Sequence, residues 1–166
     1  MNGGGVRTGE SFSDGEATRV GGVLLRGVPV RLLLRLGHHV DELSRELEIL
    51  GAGGNPRASP AGELLRPAFQ HLLELSNGHR RSALERAEAA ADEGVERFDL
   101  ELRLPRAAVA VTHELVAVLE EADELSRGGE LLTMAPSDEV VALRRWIAAE
   151  IEAQLVGGDA PRPCPL

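Results

Sequence analysis

The chain is expected to fold as a mainly α domain, a bundle of four or five helices with one or two short strands. Three features of its sequence point there. Apolar residues recur at alternating steps of three and four along several long segments, the spacing of a buried helical seam. One short stretch switches to strict apolar/polar alternation, the period of a half-buried strand. The length, 166 residues, supports one hydrophobic core but would leave two independent cores marginal.

Residues 1–20, rich in Gly, Ser, Thr and acids, carry no periodicity, and the tail 157–166, GGDAPRPCPL, is rich in Gly and Pro. Both are expected to be disordered, leaving residues 21–156 as a single helical domain. GVLLRGVPV (22–30) is short and apolar, interrupted by Gly27 and Pro29, and reads as an edge strand running into a helix, with Pro29 suited to the first helical turn. Leu33, Leu36, Val40, Leu43, Leu47 and Leu50 then mark the seam of a first helix. GAGGNPRASP (51–60) is a loop by composition. Ser59 and Pro60 can open a second helical segment, in which Pro67 belongs to a first turn or a kink because its ring removes a backbone donor. That segment continues to Asn77-Gly78, and a further helix is expected over about 80–92. Phe98, Leu100, Leu102 and Leu104 alternate with Arg97, Asp99, Glu101 and Arg103, the strand signal. Pro105 ends it. The next helix has the seam Ala108, Val111, Leu115, Val118, Ala122 and Leu125 and stops at Gly128-Gly129. The last, capped by Ser137, places Val140, Ile147, Ile151 and Leu155 on one side.

Composition removes whole classes of function. A net charge of −9 and a pI near 5.1 argue against nucleic-acid binding, whose affinity comes from cations neutralising phosphates. All 18 basic residues are Arg. Without Lys the chain cannot supply a Walker-A lysine, a kinase-type ATP lysine or a Schiff base. The skew toward Arg, Ala, Gly, Leu and Glu is that of a GC-rich bacterial genome. One cysteine, Cys164, permits neither an intrachain disulfide nor a cysteine metal cluster. No signal-like or membrane-spanning apolar run is present, which leads us to expect a cytoplasmic protein with no membrane partner. GAGGNP lacks the strand–helix setting of a dinucleotide loop, and no G-x-S-x-G elbow occurs. We therefore expect no catalytic residue, no metal and no cofactor.

One constellation remains. HHVDELSREL, His38 to Leu47, contains the only adjacent histidines, and DELSR returns at Asp123–Arg127 without histidines before it. The two copies share a seam, but their flanks do not continue the match, so the echo reads as ordinary helix-surface chemistry. With Val40 and Leu43 on the seam, His38 is expected to be exposed, within reach of Asp41 and Glu42 one turn on, and His39 at the rim, within reach of Glu42. A helix face of His38, His39, Asp41, Glu42 and Arg45 can meet a protein partner, receive a phosphoryl group or, less readily, contribute to a metal site, since His71, His79 and His113 supply no obvious further ligands. Arg144, Arg145 and Trp146 form a second candidate contact, Trp and Arg being common at hot spots. A homo-oligomeric bundle with no separate ligand is also open.

Pro29–Leu32, His39, Asp41–Leu43, Arg45, Glu46, Phe98–Pro105, Glu130–Met134 and Arg144–Trp146, taken in order, resemble a family of small helical actinobacterial proteins encoded beside, or fused to, anti-sigma-factor serine-kinase-type (GHKL) ATPases. The resemblance spans about residues 23–156. In the family the histidine pair directly precedes the DELxRE stretch; aligned without a gap, His39 matches its first member and Val40 replaces the second. The resemblance implies a non-enzymatic regulatory or adaptor domain in a partner-switching pathway, with the ATPase or its antagonist as partner. The adenine-binding acid and glycine box of those ATPases does not occur here.

Overall fold

The computed structural model describes residues 19–51 and 60–166. The segment expected to be disordered at the start of the chain, and most of the loop expected over 51–60, lie outside the described residues. In chain order the elements are β1 (Val20–Pro29), α1 (Val30–Gly51), α2 (Pro60–Asp92), β2 (Arg97–Pro105), α3 (Ala108–Arg127), α4 (Asp138–Glu152) and a π-helical turn (Ala153–Gly157). The described residues thus form a mainly helical bundle of four helices with a two-stranded antiparallel sheet.

The sheet pairs Val20 with Pro105 and Pro29 with Arg97, with a bulge between Leu25 and Val28. Gly27 makes the bulge: its φ of 63° is left-handed, a conformation that a Cβ would strain. Its N–H donates to Asp99 Oδ1 at 2.8 Å. Pro29 closes the strand instead of entering the helix, and the Val30 N–H donates to Glu96 O at 3.0 Å. Leu100 and Leu104 are buried and Phe98 and Leu102 partly so, on one face of β2, as the alternation predicts.

Two helical segments were expected where one 33-residue helix stands. α2 runs unbroken through Pro67 and through Asn77-Gly78. Pro67 is the eighth residue and exposed, so its ring faces solvent. Leu65, Phe69, Leu72, Ala83 and Ala87 bury one side of both halves, and tertiary burial outweighs local propensity. α1 and α2 pack antiparallel, Gly37 against Leu84 and Asp41 against Arg80. A Cβ on Gly37 would come within 2.5 Å of Leu84 Cδ2, so glycine sets this close approach.

The core has two parts. One joins the sheet to α4 through Val23, Leu25, Val28, Leu100, Leu143 and Ile151. The other lies among the helices, around Leu43, Leu47, Phe69, Leu119 and Ala122. Leu43 and Leu47 are fully buried, each stabilising by about 1.5–3 kcal/mol. α3 ends in a Schellman motif, with Gly129 at φ 75° and Glu130 N–H donating to Leu125 O.

The tail is not loose. Glu150 on α4 is fully buried; its Oε1 accepts from the Arg162 N–H at 2.8 Å and its Oε2 lies 3.1 Å from Arg162 Nε. Gln154 accepts from the Leu24 N–H and donates to the Leu24 carbonyl, both at 2.9 Å. Beyond them Pro163 bridges Arg26 in parallel, the Cys164 N–H donates to Arg26 O, and the Cys164 side chain is buried. The expectation of disorder over 157–166 fails because composition registers flexibility but not a buried acid waiting for Arg162.

Candidate functional site

Three charged or polar side chains, one from each of three helices, meet inside the bundle. His39 Nε2 (α1) lies 3.0 Å from Asp123 Oδ1 (α3), and Arg144 Nη2 (α4) lies 2.6 Å from Asp123 Oδ2. His39 is 5% exposed, Asp123 1% and Arg144 3%. Burial pushes the Asp123 carboxyl up, but the hydrogen bond from His39 and the bond and charge of Arg144 outweigh it, holding the group below its ordinary value. The ionised Asp123 therefore accepts from His39 Nε2–H.

This arrangement corrects the sequence reading at three places. His39 was expected at the rim, yet it is buried. α1 packs against α2 on one side and α4 on the other, and a helix held from two sides buries a wider stripe than one seam. Asp123, in the DELSR echo read as surface chemistry, is among the least exposed residues, whereas its counterpart Asp41 sits half-exposed against Arg80 Nη1 at 2.8 Å. Arg144, read from the sequence as part of a candidate contact surface with Arg145 and Trp146, is instead buried against Asp123. Of the remaining candidates, His38 is exposed and pairs with Glu42 at 3.0 Å. Arg45 is exposed on α1. Arg145 is exposed and pairs with Glu120 of α3 at 2.6 Å. Trp146 packs half-buried against the sheet-side core. The eight candidate residues thus do not share one face.

Two hollows flank the buried triad. Arg144 lines the first, an apolar cavity of about 340 Å³ walled by α1, α2, β2, α3 and α4. His39 lines the second, an open groove of about 460 Å³ between α1 and the α3–α4 connection, together with Leu34, Arg35, His38, Glu42, Met134 and Pro136. Glu46 holds that connection: its Oε1 accepts from the Leu132 N–H at 2.5 Å and its Oε2 from the Thr133 N–H at 2.7 Å. The backbone is pinned while the side chains of Leu132 and Met134 stand 90% and 82% exposed. Sequence reasoning passed over Glu46 as a site residue and did not foresee either hollow.

Among the described residues no group of three or more His, Cys, Asp or Glu side chains is placed to hold a metal. No helix among them is long and apolar enough to cross a membrane. Comparison with protein-family models, with curated proteins and with solved structures yields no match.

Proposed function

We propose that this chain is a non-enzymatic regulatory or adaptor domain, acting in the cytoplasm, that binds a protein partner in the groove between α1 and the α3–α4 connection. The supporting observation is the juxtaposition of the exposed Met134 with Arg35, His38 and Glu42 on a groove whose rim Glu46 holds in place. Apolar side chains held out from a fixed backbone, with charged groups around them, suit a contact centre with a polar rim. The resemblance described above suggests the partner, a GHKL-type anti-sigma ATPase or its antagonist. Compared with the candidates first inferred from the sequence, this surface keeps His38 and Glu42, with His39 lining it from a buried position, adds Arg35 and Met134, and leaves out Asp41, Arg45, Arg144, Arg145 and Trp146.

The test is a titration of the purified domain against the anti-sigma ATPase and its antagonist from the same genome. Met134→Glu should weaken binding by roughly thirtyfold, the effect of losing one contact hot spot, with an unchanged melting temperature. Equal affinity of wild type and variant, or no binding to either protein, overturns the proposal. A histidine-phosphoacceptor reading draws on the exposed His38 beside Glu42, and an acid-labile phosphoryl group on His38 would replace the adaptor reading with it. A self-associating bundle is separated from both by the mass in solution.

A further inference from the structure

We propose that the cavity between the helices and β2 is a binding site for a small amphiphilic carboxylate, of the size and chemistry of a medium-chain fatty acid, with Arg144 holding the head group. The inference concerns the cavity itself and stands whether or not the groove binds a protein.

The cavity, about 340 Å³, lies within the usual range for ligand pockets, roughly 300–1,000 Å³. Its walls are almost wholly aliphatic, including Leu33, Leu36, Leu84, Leu104, Leu115 and Ile147. Ser76 and Thr112 also line it, but their hydroxyls already donate to Leu72 O and Ala108 O within their own helices. Leu75 and His79 line it and are exposed, so the cavity reaches solvent beside α2.

Against this apolar lining Arg144 is anomalous. A guanidinium carries five N–H donors. Asp123 engages Nη2, while Nε and Nη1, both buried, have no hydrogen-bond partner among the described residues. Buried N–H groups of a charged side chain are rarely left unmet, because each loses its water without replacement. A carboxylate is a fitting complement: planar and charged, it can lie along one edge of the guanidinium and accept from Nε or Nη1 together with the second N–H of Nη2, whose first is turned to Asp123. Bound there, it would complete a row of anion, guanidinium, carboxylate and imidazole from the cavity to the groove, while its alkyl chain filled the aliphatic space. Arg80 also lines the cavity, and its Nε is likewise buried without a hydrogen-bond partner among the described residues, but its Nη1 is engaged by Asp41 and its side chain is 27% exposed against 3% for Arg144, so the head group is placed on the more deeply buried Arg144, which has two unmet nitrogens.

Calorimetric titration of the full chain with decanoate and with decanol, each below its aggregation threshold, tests the assignment. Decanoate should bind one-to-one, and more tightly than decanol by roughly ten- to a hundredfold, as for a hydrogen bond to a charged group. The paired substitution Arg144→Gln with Asp123→Asn removes both charges, so neither is left uncompensated. It should abolish the preference while decanol still binds, which shows the cavity intact. Ala83→Leu, placing extra volume in the cavity wall, should weaken both ligands. Absence of binding by wild type, equal affinity for acid and alcohol, or a preference lost with Arg80→Gln but kept in the paired variant each overturns the proposal.

Discussion

Changing Asp123 to asparagine keeps the size of the side chain and removes one charge from the middle of the bundle. Arg144, 3% exposed, would then hold a guanidinium with no counter-ion, and His39 would lose the charged acceptor of its hydrogen bond. Breaking a buried pair from one side costs about 3–5 kcal/mol, because the surviving charge has neither water nor partner. For a domain whose whole stability is about 5–15 kcal/mol, that is a large share. At about 2–4 °C per kcal/mol for this size of chain, the melting temperature should fall by roughly 6–20 °C. Urea unfolding at pH 7, followed by circular dichroism, should show an earlier midpoint with an unchanged slope. Two controls sharpen the attribution. Arg127→Ala breaks the exposed pair with Glu124 and should cost no more than about 1 kcal/mol. Asp123→Leu combined with Arg144→Met should cost less than Asp123→Asn alone, since no charge is stranded. An Asp123→Asn protein within about 1 kcal/mol of wild type would refute the reasoning, because a pair so easily dispensed with would have to be solvated.

Further expectations concern acid, the connection and the tail. The folded Asp123 carboxyl titrates below its ordinary value of 3.8, so between the two values the unfolded chain binds more protons and stability rises with pH. Its contribution is complete above the ordinary value and disappears as pH falls through the folded one; unfolding midpoints measured from pH 6 downward should show that loss, and Asp123→Asn should flatten it. Glu46→Ala releases the amides of Leu132 and Thr133, which should then exchange hydrogen markedly faster while the exchange of core amides of α2 is unaltered. Glu150→Ala removes the buried acceptor of Arg162; the tail should detach, and Cys164, buried in the wild type, should become reactive to a thiol reagent at least tenfold faster, tracking the open population.

Periodicity carried most of the architecture. The seams of α1 and α3 and the alternation of β2 fall where the apolar spacing puts them, because burial on one face leaves a repeating mark in the sequence. Pro67 and Asn77-Gly78 misled for the converse reason: they are local breakers, while the burial that keeps α2 helical through them, at Phe69 and Leu72 for instance, acts across the bundle. The buried triad left a fainter trace. Arg144 stands four residues after Val140 and three before Ile147, and His39 three after Leu36 and four before Leu43, so both occupy positions at apolar spacing with polar side chains. Such residues are either errors of register or parts of an internal network. Their joint appearance on different helices was the signal for the network. Nothing comparable announces a cavity, which arises from how the helices and sheet fail to fill the space between them and not from any one segment.

The sheet also has something to say about how the chain reaches this state. β1 and β2 bracket α1 and α2, and their ladder joins Val20 to Pro105 and Pro29 to Arg97. Forming that ladder first would mean closing a loop of roughly seventy residues against its full chain entropy. Docking α1 on α2 first brings the two strands together at much lower entropic expense. Loop-closure entropy therefore predicts the helical hairpin before the sheet, with the strands acting as a late clasp. Lesions in the clasp, at Gly27 for instance, would hasten unfolding far more than they slow folding.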